Sequence, residues 1–248
     1  KNPNQNRLQR IIHVITGLDY GGAEIMLSKL VVQMQNQEID THVVSLGAFG
    51  PIGDDLHSKG FSLYAIGIKR GKIPTIRQLF MLAKTLRAID ADLIQGWMYH
   101  GNLAATLGRY LCRGNPRIIW NIRQSFGGMG HENILTRKVI KVGALFSNIP
   151  DFIIYNSRSS ARQHEKLGYR RSKSVFIPNG FELDAFSPKH SDRESLVQEL
   201  LLEHSTYLVT HVARFHPKKD HKNFLVAASI VLKARKDVRF LLAGKEVS

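Results

Sequence analysis

The amino-acid sequence predicts an α/β fold in which a parallel β-sheet carries helices on both faces. Short apolar runs rich in β-branched residues alternate with longer segments of helical period, which is typical of β-α-β units. The strand runs are almost continuously apolar, as expected for strands that are buried on both faces of a sheet. Seven strand candidates lie between Arg10 and Gly180.

Strand and helix candidates follow one another along this whole stretch. The strand candidates are, in chain order, RIIHVIT, THVVSL, FSLYAI, DLIQGW, RIIWNI, DFIIYNS and SVFIPNG. The helix candidates are AEIMLSKLVVQM, IPTIRQLFMLAKTLRAI, GNLAATLGRYL, TRKVIKVGALF and SARQHEKLG. Because parallel strands need crossover connections, these helices are expected to cover the sheet.

The pattern changes after a first domain, which we predict over residues 10–186 behind an N-terminal tail of residues 1–9. Residues 187–206 contain turn residues and a short helix after Asp192, and we interpret them as a linker. Residues 207–248 hold a strand, TYLVTHVAR, a helix and a second strand, VRFLLAG. Two strands and one helix cannot close a core of their own, so this second domain is expected to be incomplete.

Composition and charge limit the classes of protein to consider. The 35 Lys and Arg residues against 20 Asp and Glu give a formal net charge of +15, which favours nucleic acid, an acidic membrane surface or a phosphorylated substrate as partner. Cys112 is the only cysteine, which excludes an intramolecular disulfide and a cysteine zinc cluster and favours a reducing, cytoplasmic setting. No run approaches the roughly 20 apolar residues of a membrane-spanning helix. The first ten residues do not resemble a signal peptide, and because the chain begins without Met we expect native residues before Lys1.

A glycine-rich loop, ITGLDYGGAEIML, follows the first strand candidate. Gly17, Gly21 and Gly22 allow the backbone to come close to a ligand, and the following helix points its N-terminal amides at an anion. A nicotinamide-binding fingerprint is excluded, because G-x-G-x-x-G is absent and Asp40 precedes the second strand rather than following it. The alternative is a turn that is merely tight.

Two later strands are followed by residues suited to contact a substrate. The fourth strand leads into Tyr99 and His100, and the fifth into Arg123, Ser125 and the segment GGMGHEN. Open α/β sheets bind ligands at the carboxyl ends of their strands, where these residues are expected. His100 could donate to a phosphate or a sugar hydroxyl, and Arg123 offers a fork of donors for phosphate or carboxylate. The alternatives are a structural histidine and an exposed, solvated arginine.

Cations cluster where a strand meets a helix in the second domain, in VARFHPKKDHKNF at residues 212–224. Arg214 ends the strand, Pro217 shapes the turn, and Lys219 precedes Asp220, which is a suitable N-cap for the next helix. Two cations beside a helix N-terminus are suited to clamp a diphosphate. A P-loop is excluded, because G-x-x-x-x-G-K-[ST] does not occur.

A basic amphipathic helix is predicted in TRKVIKVGALFSNI, where Arg137, Lys138 and Lys141 lie among apolar residues. Such a helix can lie on an anionic bilayer, and the alternative is a helix that covers the sheet and keeps a solvated basic face. Few aromatic residues are interleaved with the nearby cations, which argues against a stacking surface for single-stranded nucleic acid. We expect no nucleic-acid partner, since no nucleic-acid-binding motif is present.

Six motifs occur in a fixed order across nearly the whole chain. They are GGAE at 21–24, YHGNL at 99–103, NIRQS at 121–125, YNS at 155–157, IPNGFELDAF at 177–186 and ARFHPKKDHKNF at 213–224. Together they resemble family 4 of the retaining glycosyltransferases, which have the GT-B fold. The most specific part of the resemblance is IPNG-x-x-x-x-x-F followed by R-x-x-x-x-K.

The resemblance implies two Rossmann-like domains that face each other across a cleft, with a nucleotide-sugar donor held mainly by the C-terminal domain and the acceptor by the N-terminal one. It implies that Arg214 and Lys219 neutralise the donor diphosphate without a metal ion or another cofactor. The other residues implied at the diphosphate are Gly21 and Gly22, and those implied to line the interdomain cleft are Asn179, Gly180, Tyr99 and Ser125. The catalytic candidates are Arg123 and His100.

The sequence departs from the family pattern at two places. At the position of Arg123, many members of the family carry a histidine that supports the reacting centre. In this chain, Arg123 could bind an acidic acceptor in place of that role. The family's pair of glutamates spaced eight apart, which holds the donor sugar and ribose, is expected beyond Ser248, and Glu246 is not one of them. About a hundred or more residues of the second domain are therefore expected to be missing. We expect the 248-residue chain to bind donor poorly and not to turn over.

The activity implied by the resemblance is transfer of a hexose from a UDP- or GDP-sugar to a hydroxyl acceptor, with retention, in the synthesis of a surface polysaccharide or glycolipid. The expected partners are the nucleotide sugar, a glycan or glycolipid acceptor and an anionic membrane surface, with self-association through the incomplete second domain. The expected location is the cytoplasm, either free or peripheral on the inner face of the membrane. The alternative function is a non-catalytic module whose basic surface binds an anionic membrane or a polysaccharide.

Overall fold

The computed structural model describes residues 10–125, 134–184, 186–188 and 190–244. The chain divides into two compact units, Lys1–Gly180 and Phe181–Ser248. The division lies after Gly180, whereas the sequence pattern puts the end of the first domain at residue 186. The predicted linker, residues 187–206, belongs to the second unit.

In the described part of the chain, the first unit is built on a sheet of seven parallel strands. The strands are β1 (Arg10–Ile15), β2 (Asp40–Ser45), β3 (Ser62–Ala65), β4 (Leu93–Trp97), β5 (Arg117–Ile122), β6 (Phe152–Tyr155) and β7 (Ser174–Phe176). Their order across the sheet is β3-β2-β1-β4-β5-β6-β7. The chain runs from β1 to one edge of the sheet and then returns to β4, next to β1, before running to the other edge. The carboxyl ends of β1 and β4 therefore form the switch point at which open α/β sheets bind ligands.

Helices cover both faces of this sheet. Within the described residues they are α1 (Gly22–Asn36), α2 (Gly50–Ser58), α3 (Ile76–Ile89), α4 (Met98–Leu111), α5 (Ile134–Phe146) and α6 (Arg158–Lys166). Consecutive residues of β2 show the two layers, since Val43 packs in a buried cluster with α1 and α2, and Val44 in a cluster with α3, α4 and α5. The predicted fold class, a Rossmann-like parallel sheet with helices on both faces, is confirmed.

The sequence pattern does not predict helix α2. Its nine residues include two glycines and a proline, which are typical of a turn. Ile52 and Leu56, four positions apart, are its buried apolar side chains, and the Ile52 N–H donates to the Leu18 carbonyl at 3.0 Å. Two apolar positions are too few for a recognisable helical period, so only packing against the sheet distinguishes this helix from a loop.

The second unit contains the predicted β-α-β arrangement. Its elements among the described residues are α7 (His190–Glu199), β8 (Tyr207–Val212), α8 (His221–Ala234) and β9 (Val238–Ala243). Strands β8 and β9 pair in parallel, with Tyr207 opposite Val238 and Val212 opposite Ala243. None of the described helices in either unit has both the length and the hydropathy required to cross a membrane.

Candidate functional site

Arg123 follows the carboxyl end of β5 and is held by three neighbouring groups. Its Nη1 donates a hydrogen bond to Asn121 Oδ1 at 3.2 Å, and its Nη2 donates to Asn179 Oδ1. The guanidinium carbon lies 5.6 Å from the centroid of the Trp97 ring, in a cation–π arrangement. The structure thus brings Arg123 together with Asn179, another residue that the sequence predicts at the site.

The groups that hold Arg123 are themselves buried. Asn121 is 2% exposed, and its backbone N–H donates to Asn102 Oδ1 at 3.1 Å. Trp97 is 1% exposed, and its indole N–H donates to His13 Nδ1 at 3.2 Å. Burial lowers the pKa of His13 to about 3, so this ring is neutral and can accept the bond. The guanidinium therefore rests on a buried network that joins β1, β4 and β5.

The positive charge of Arg123 has no carboxylate partner among the described residues, since none of their ion pairs includes it. Burial lowers the pKa of Arg123, because a low-dielectric environment disfavours the charged form. An arginine nevertheless stays protonated at neutral pH. The bonds to Asn121 and Asn179 use two of its five N–H donors, and both acceptors are uncharged amide oxygens. The site is therefore suited to an anionic or strongly hydrogen-bonding ligand.

Ser125 lies in the segment that leads away from Arg123 and is exposed. Its Oγ is 3.3 Å from the Oγ of Ser157, which caps α6 by accepting a bond from the Ser160 N–H. Ser160 Oγ in turn donates to the Gln124 carbonyl at 2.7 Å. These bonds tie the segment after β5 to the N-terminus of α6. The glycine-rich segment GGMGHEN, predicted as a binding loop, lies outside the described residues.

Tyr99 does not lie at an open edge of the sheet, which corrects the prediction that it lines a cleft. It is 4% exposed, and its hydroxyl lies 3.1 Å from His164 Nε2. His164 Nδ1 is 2.8 Å from the Ser160 carbonyl oxygen, to which it donates, so Nε2 accepts from the tyrosine. The Tyr99 ring is part of the buried cluster under α3, α4 and α5. It points inward because it lies in the first turn of α4, on the face that packs against the sheet.

His100, the next residue, is half-buried in the same turn of α4. Burial lowers its pKa, so the ring is neutral at physiological pH and can donate from one nitrogen and accept at the other. Tyr99 and His100 are adjacent in sequence, yet helix geometry points their side chains about 100° apart. His100 therefore remains a site candidate although Tyr99 does not.

Met98 is a site residue that the sequence patterns do not reveal. It follows β4 directly with a φ of 60°, a left-handed conformation that costs a residue other than glycine roughly 1–2 kcal/mol. The Arg123 N–H donates to Met98 Sδ at 3.5 Å. Backbone strain of this kind concentrates at functional sites, and here it lies at the switch point between β1 and β4.

Helix α4 begins very close to the sheet at this point. A Cβ on Gly101 would lie 2.4 Å from the Val14 carbonyl oxygen of β1, and a Cβ on Gly96 would lie 2.4 Å from Asn102 Cα. Both glycines are therefore required for close approach of the backbones. This contact sets the position of Asn102, whose side chain accepts from the backbone of β5.

The glycine-rich loop after β1 leads into α1 as predicted, with Gly21 as the N-cap and Gly22 as the first helical residue. A Cβ on Gly17 or Gly22 would meet no atom within 4 Å, so open space borders both. A Cβ on Gly21 would lie 2.2 Å from Glu24 Oε2, which shows that the Glu24 carboxylate folds back onto the helix N-terminus. A ligand anion at these amides would have to share them with Glu24.

Arg214 and Lys219 lie between β8 and α8, at the carboxyl end of the two-stranded sheet, and both are exposed. A 3₁₀ turn covers Pro217–Lys219. Asp220 caps α8, since its Oδ1 accepts from the Asn223 N–H at 3.4 Å, and this confirms the predicted N-cap. The cations thus border the N-terminus of a helix, but no described contact holds them as Arg123 is held.

The described residues contain no group of three or more His, Cys, Asp or Glu side chains arranged to hold a metal ion. Arg123, Arg214 and Lys219 are cations, which suit an anionic ligand.

A model of the family described as Glycosyltransferase Family 4 matches residues 20–185 of this chain. No curated protein sequence matches it significantly.

Several solved structures share the fold. One is Anabaena HepE in complex with UDP and glucose, with 18% identity and a TM-score of 0.75 over 94% of this chain and 60% of that chain. HepE in complex with UDP-glucose has 16% identity and a TM-score of 0.70, over 95% of this chain and 69% of that chain. The apo form of the lipopolysaccharide outer core galactosyltransferase WaaB has 12% identity and a TM-score of 0.63, over 95% and 68%. The chain thus spans 60% to 69% of the length of these structures, and at such identities the likeness concerns the fold.

Proposed function

Because the chain belongs to glycosyltransferase family 4, we propose that it transfers a hexose from a nucleotide-diphosphate sugar to a hydroxyl group, with retention of configuration. The similar HepE structures bind UDP with glucose, or UDP-glucose, which supports a UDP-sugar as the donor, and a GDP-sugar is the alternative. The matched residues 20–185 include Gly21, Gly22 and Arg123.

The observation that carries the proposal is the fixed positive charge of Arg123 at the carboxyl edge of the sheet. Asn121, Asn179 and Trp97 hold the guanidinium before a ligand arrives, so little side-chain freedom is lost on binding. We assign Arg123 to an acidic group of the acceptor. His100, neutral and half-buried, is assigned to a hydroxyl of the same ligand.

In the second unit, Arg214 and Lys219 are assigned to the donor diphosphate. Negative charge grows on this leaving group as the glycosidic bond to the sugar breaks, and two nearby cations lower the energy of that charge. The first-turn amides of α8 add hydrogen-bond donors and the positive end of the helix dipole. This arrangement supplies positive charge from the protein, so no metal ion or other cofactor is part of the proposal.

We further assign the protein to the synthesis of a surface polysaccharide or glycolipid, at the cytoplasmic side of a membrane. The support is the likeness to WaaB, which is named for the outer core of lipopolysaccharide. The acceptor would then be a growing glycan or glycolipid that carries acidic groups, which suits the charge of Arg123, since no described residue forms an ion pair with it.

The test of the donor assignment is the binding of UDP and GDP, measured by isothermal titration calorimetry. The double variant Arg214→Ala/Lys219→Ala should lose about 100-fold in affinity, since each hydrogen bond to a charged group contributes about 1.5–3 kcal/mol. The double variant Lys233→Ala/Lys236→Ala removes the same two positive charges at the other end of this helix, away from the site, and should bind as the unaltered chain does. Equal affinities for the double variant and the unaltered chain would refute the assignment.

The test of the reaction is incubation with a panel of UDP- and GDP-sugars and candidate acceptors. Product NMR should show the anomeric configuration of the donor sugar. An inverted product would refute retention. Turnover with any of the sugars would overturn the expectation that this chain alone does not turn over, whereas hydrolysis or transfer from none of them would refute the activity proposed for it.

A further inference from the structure

Three large apolar side chains are exposed together at the start of helix α3. Ile73, Ile76 and Phe80 are 78%, 86% and 70% exposed. Ile76 and Phe80 are one helical turn apart on the same face, and Ile73 immediately precedes the helix. We call these three residues the α3 apolar tip. Side chains of this size are rarely exposed as a group on a soluble protein unless something covers them.

The exposure of the α3 apolar tip is a consequence of how α3 is fixed. Leu82, Leu86 and Ile89 bury the opposite face of the helix. At the N-terminus, Thr75 and Gln78 form a reciprocal capping box, and Gln78 Nε2 also donates to the Gly67 carbonyl at 2.8 Å. The helix therefore cannot roll to bury Ile76 and Phe80 without giving up its core contacts and its cap.

Every charged side chain in the stretch of chain that contains the α3 apolar tip, residues 69–89, is a cation. The exposed cations are Lys69, Arg70, Lys72, Arg77, Lys84 and Arg87, and residues 69–89 contain no Asp or Glu. The neighbouring helices α4 and α5 also lack acidic residues, whereas α1 and α2 on the other face of the sheet carry Glu24, Asp54 and Asp55. The positive charge is thus concentrated on the layer that exposes the apolar side chains.

From this combination we propose that the α3 apolar tip and its flanking cations dock on an anionic lipid bilayer. Apolar side chains enter the boundary between headgroups and acyl chains, and the cations pair with anionic headgroups. A second copy of this chain fits the surface less well, because a two-fold contact through it would bring like charges together.

Docking through α3 would also orient the sheet. Helix α3 begins at the carboxyl edge, since it follows β3, and this is the edge that carries Arg123. The surface would therefore bring that edge close to lipids, where a glycolipid acceptor is embedded. This consequence for the acceptor rests on the proposed function, whereas docking itself does not.

The first test is co-sedimentation of the chain with vesicles of phosphatidylcholine containing phosphatidylglycerol. The double variant Ile76→Ser/Phe80→Ser should partition at least about tenfold more weakly, since it loses the apolar area of two exposed side chains. Ile230→Ser, which alters a 63%-exposed isoleucine of α8, should partition like the unaltered chain. Circular dichroism should show that all three proteins remain folded, because the altered side chains lie outside the core.

A second test separates insertion from simple adsorption. Trp97 and Trp120 are each 1% exposed, so the Phe80→Trp variant adds a single exposed indole whose emission should shift to the blue on anionic vesicles. Lys72→Ala should weaken partition about fivefold, and high salt should weaken it further.

The proposal would be overturned if the chain bound vesicles of pure phosphatidylcholine as well as it binds anionic vesicles. It would also be overturned if the Phe80→Trp variant bound anionic vesicles fully without a shift in its tryptophan emission. A double variant that binds vesicles normally but no longer self-associates in sedimentation velocity would overturn it as well, since that result would assign the surface to a second copy. The variant Arg214→Ala/Lys219→Ala should lose affinity for UDP but still bind vesicles. That result would show that membrane docking and donor binding depend on different residues, so each proposal can fail without the other.

Discussion

The two groups of cations assigned to substrate differ in how the protein holds them. Arg123 is part of a buried network in the first unit, with two amide acceptors and the Trp97 ring around it. Arg214 and Lys219 are exposed at the end of β8, beside the capped N-terminus of α8. The side chain at the first site is ordered before a ligand binds and is partly removed from water, whereas the charges at the second site are exposed to water. Substitutions, acid and salt should therefore affect the two sites differently.

The largest expected difference is the acid sensitivity of the network under Arg123. Burial lowers the pKa of His13, which belongs to this network, to about 3 from a usual value of 6.5. Below pH 6.5 the unfolded chain binds protons that the folded chain does not, so the free energy of unfolding falls as the pH falls. The contribution of His13 to this slope should approach about 1.4 kcal/mol per pH unit, measured by urea denaturation across this range.

The variant His13→Gln isolates the contribution of His13 to this slope. It keeps an acceptor for the Trp97 N–H but does not titrate, so its stability should decline less steeply in acid. A His13→Gln protein with the full acid slope would show that this histidine is not the titrating group.

A smaller loss is expected when α4 is pushed away from the sheet. Gly101→Ala adds a Cβ that would lie 2.4 Å from the Val14 carbonyl oxygen, so the backbone must shift, at a cost of about 1–3 kcal/mol. Gly114→Ala adds a Cβ that meets nothing within 4 Å and should change stability by less than about 0.5 kcal/mol. Urea denaturation at neutral pH compares the two, and equal stabilities would mean that the close approach is not required.

Replacing Arg123 or Arg214 by lysine tests directly whether the first site is held more firmly than the second. Arg123→Lys loses the planar fork that bonds Asn121 and Asn179 and should lower the free energy of unfolding by about 1 kcal/mol. Arg214→Lys changes an exposed side chain and should stay within about 0.5 kcal/mol of the unaltered chain. Thermal or urea denaturation measures both, and the distinction between a fixed and a solvated site fails if the two losses are the same.

The smallest expected effect is that of salt. Because Arg214 and Lys219 are exposed, the affinity for UDP or GDP should fall severalfold as the Debye length shortens from about 10 Å at 0.1 M to about 3 Å at 1 M salt. The stability difference between Arg123→Lys and the unaltered chain should not change over the same range, since its bonds go to uncharged amides. Calorimetry and urea denaturation at both salt concentrations provide the two measurements.

The site was predictable from sequence only in part. Arg123 and Asn179 are each identified by motifs, but the bond between them joins residues 56 positions apart and is not indicated by either motif. Tyr99 and His100 belong to one motif, yet Tyr99 is buried and only His100 remains at the edge. Spacing along a chain identifies candidates near a strand end, but the helix phase decides which of two neighbours points inward.

The sequence by itself determined the class of the fold, the number of strands in the first sheet and the β-α-β unit of the second. The spacing of apolar residues is a local property of the sequence, because each strand or helix must bury its own apolar side chains. These features can therefore be predicted from short stretches of chain. Tertiary structure alone decided that β4 lies beside β1. This neighbour relation lets Trp97 bond to His13, 84 positions away, and support the charge of Arg123. The spacing of apolar residues in one strand or helix does not indicate which strands are neighbours, because the order of strands depends on how all the helices pack on the sheet.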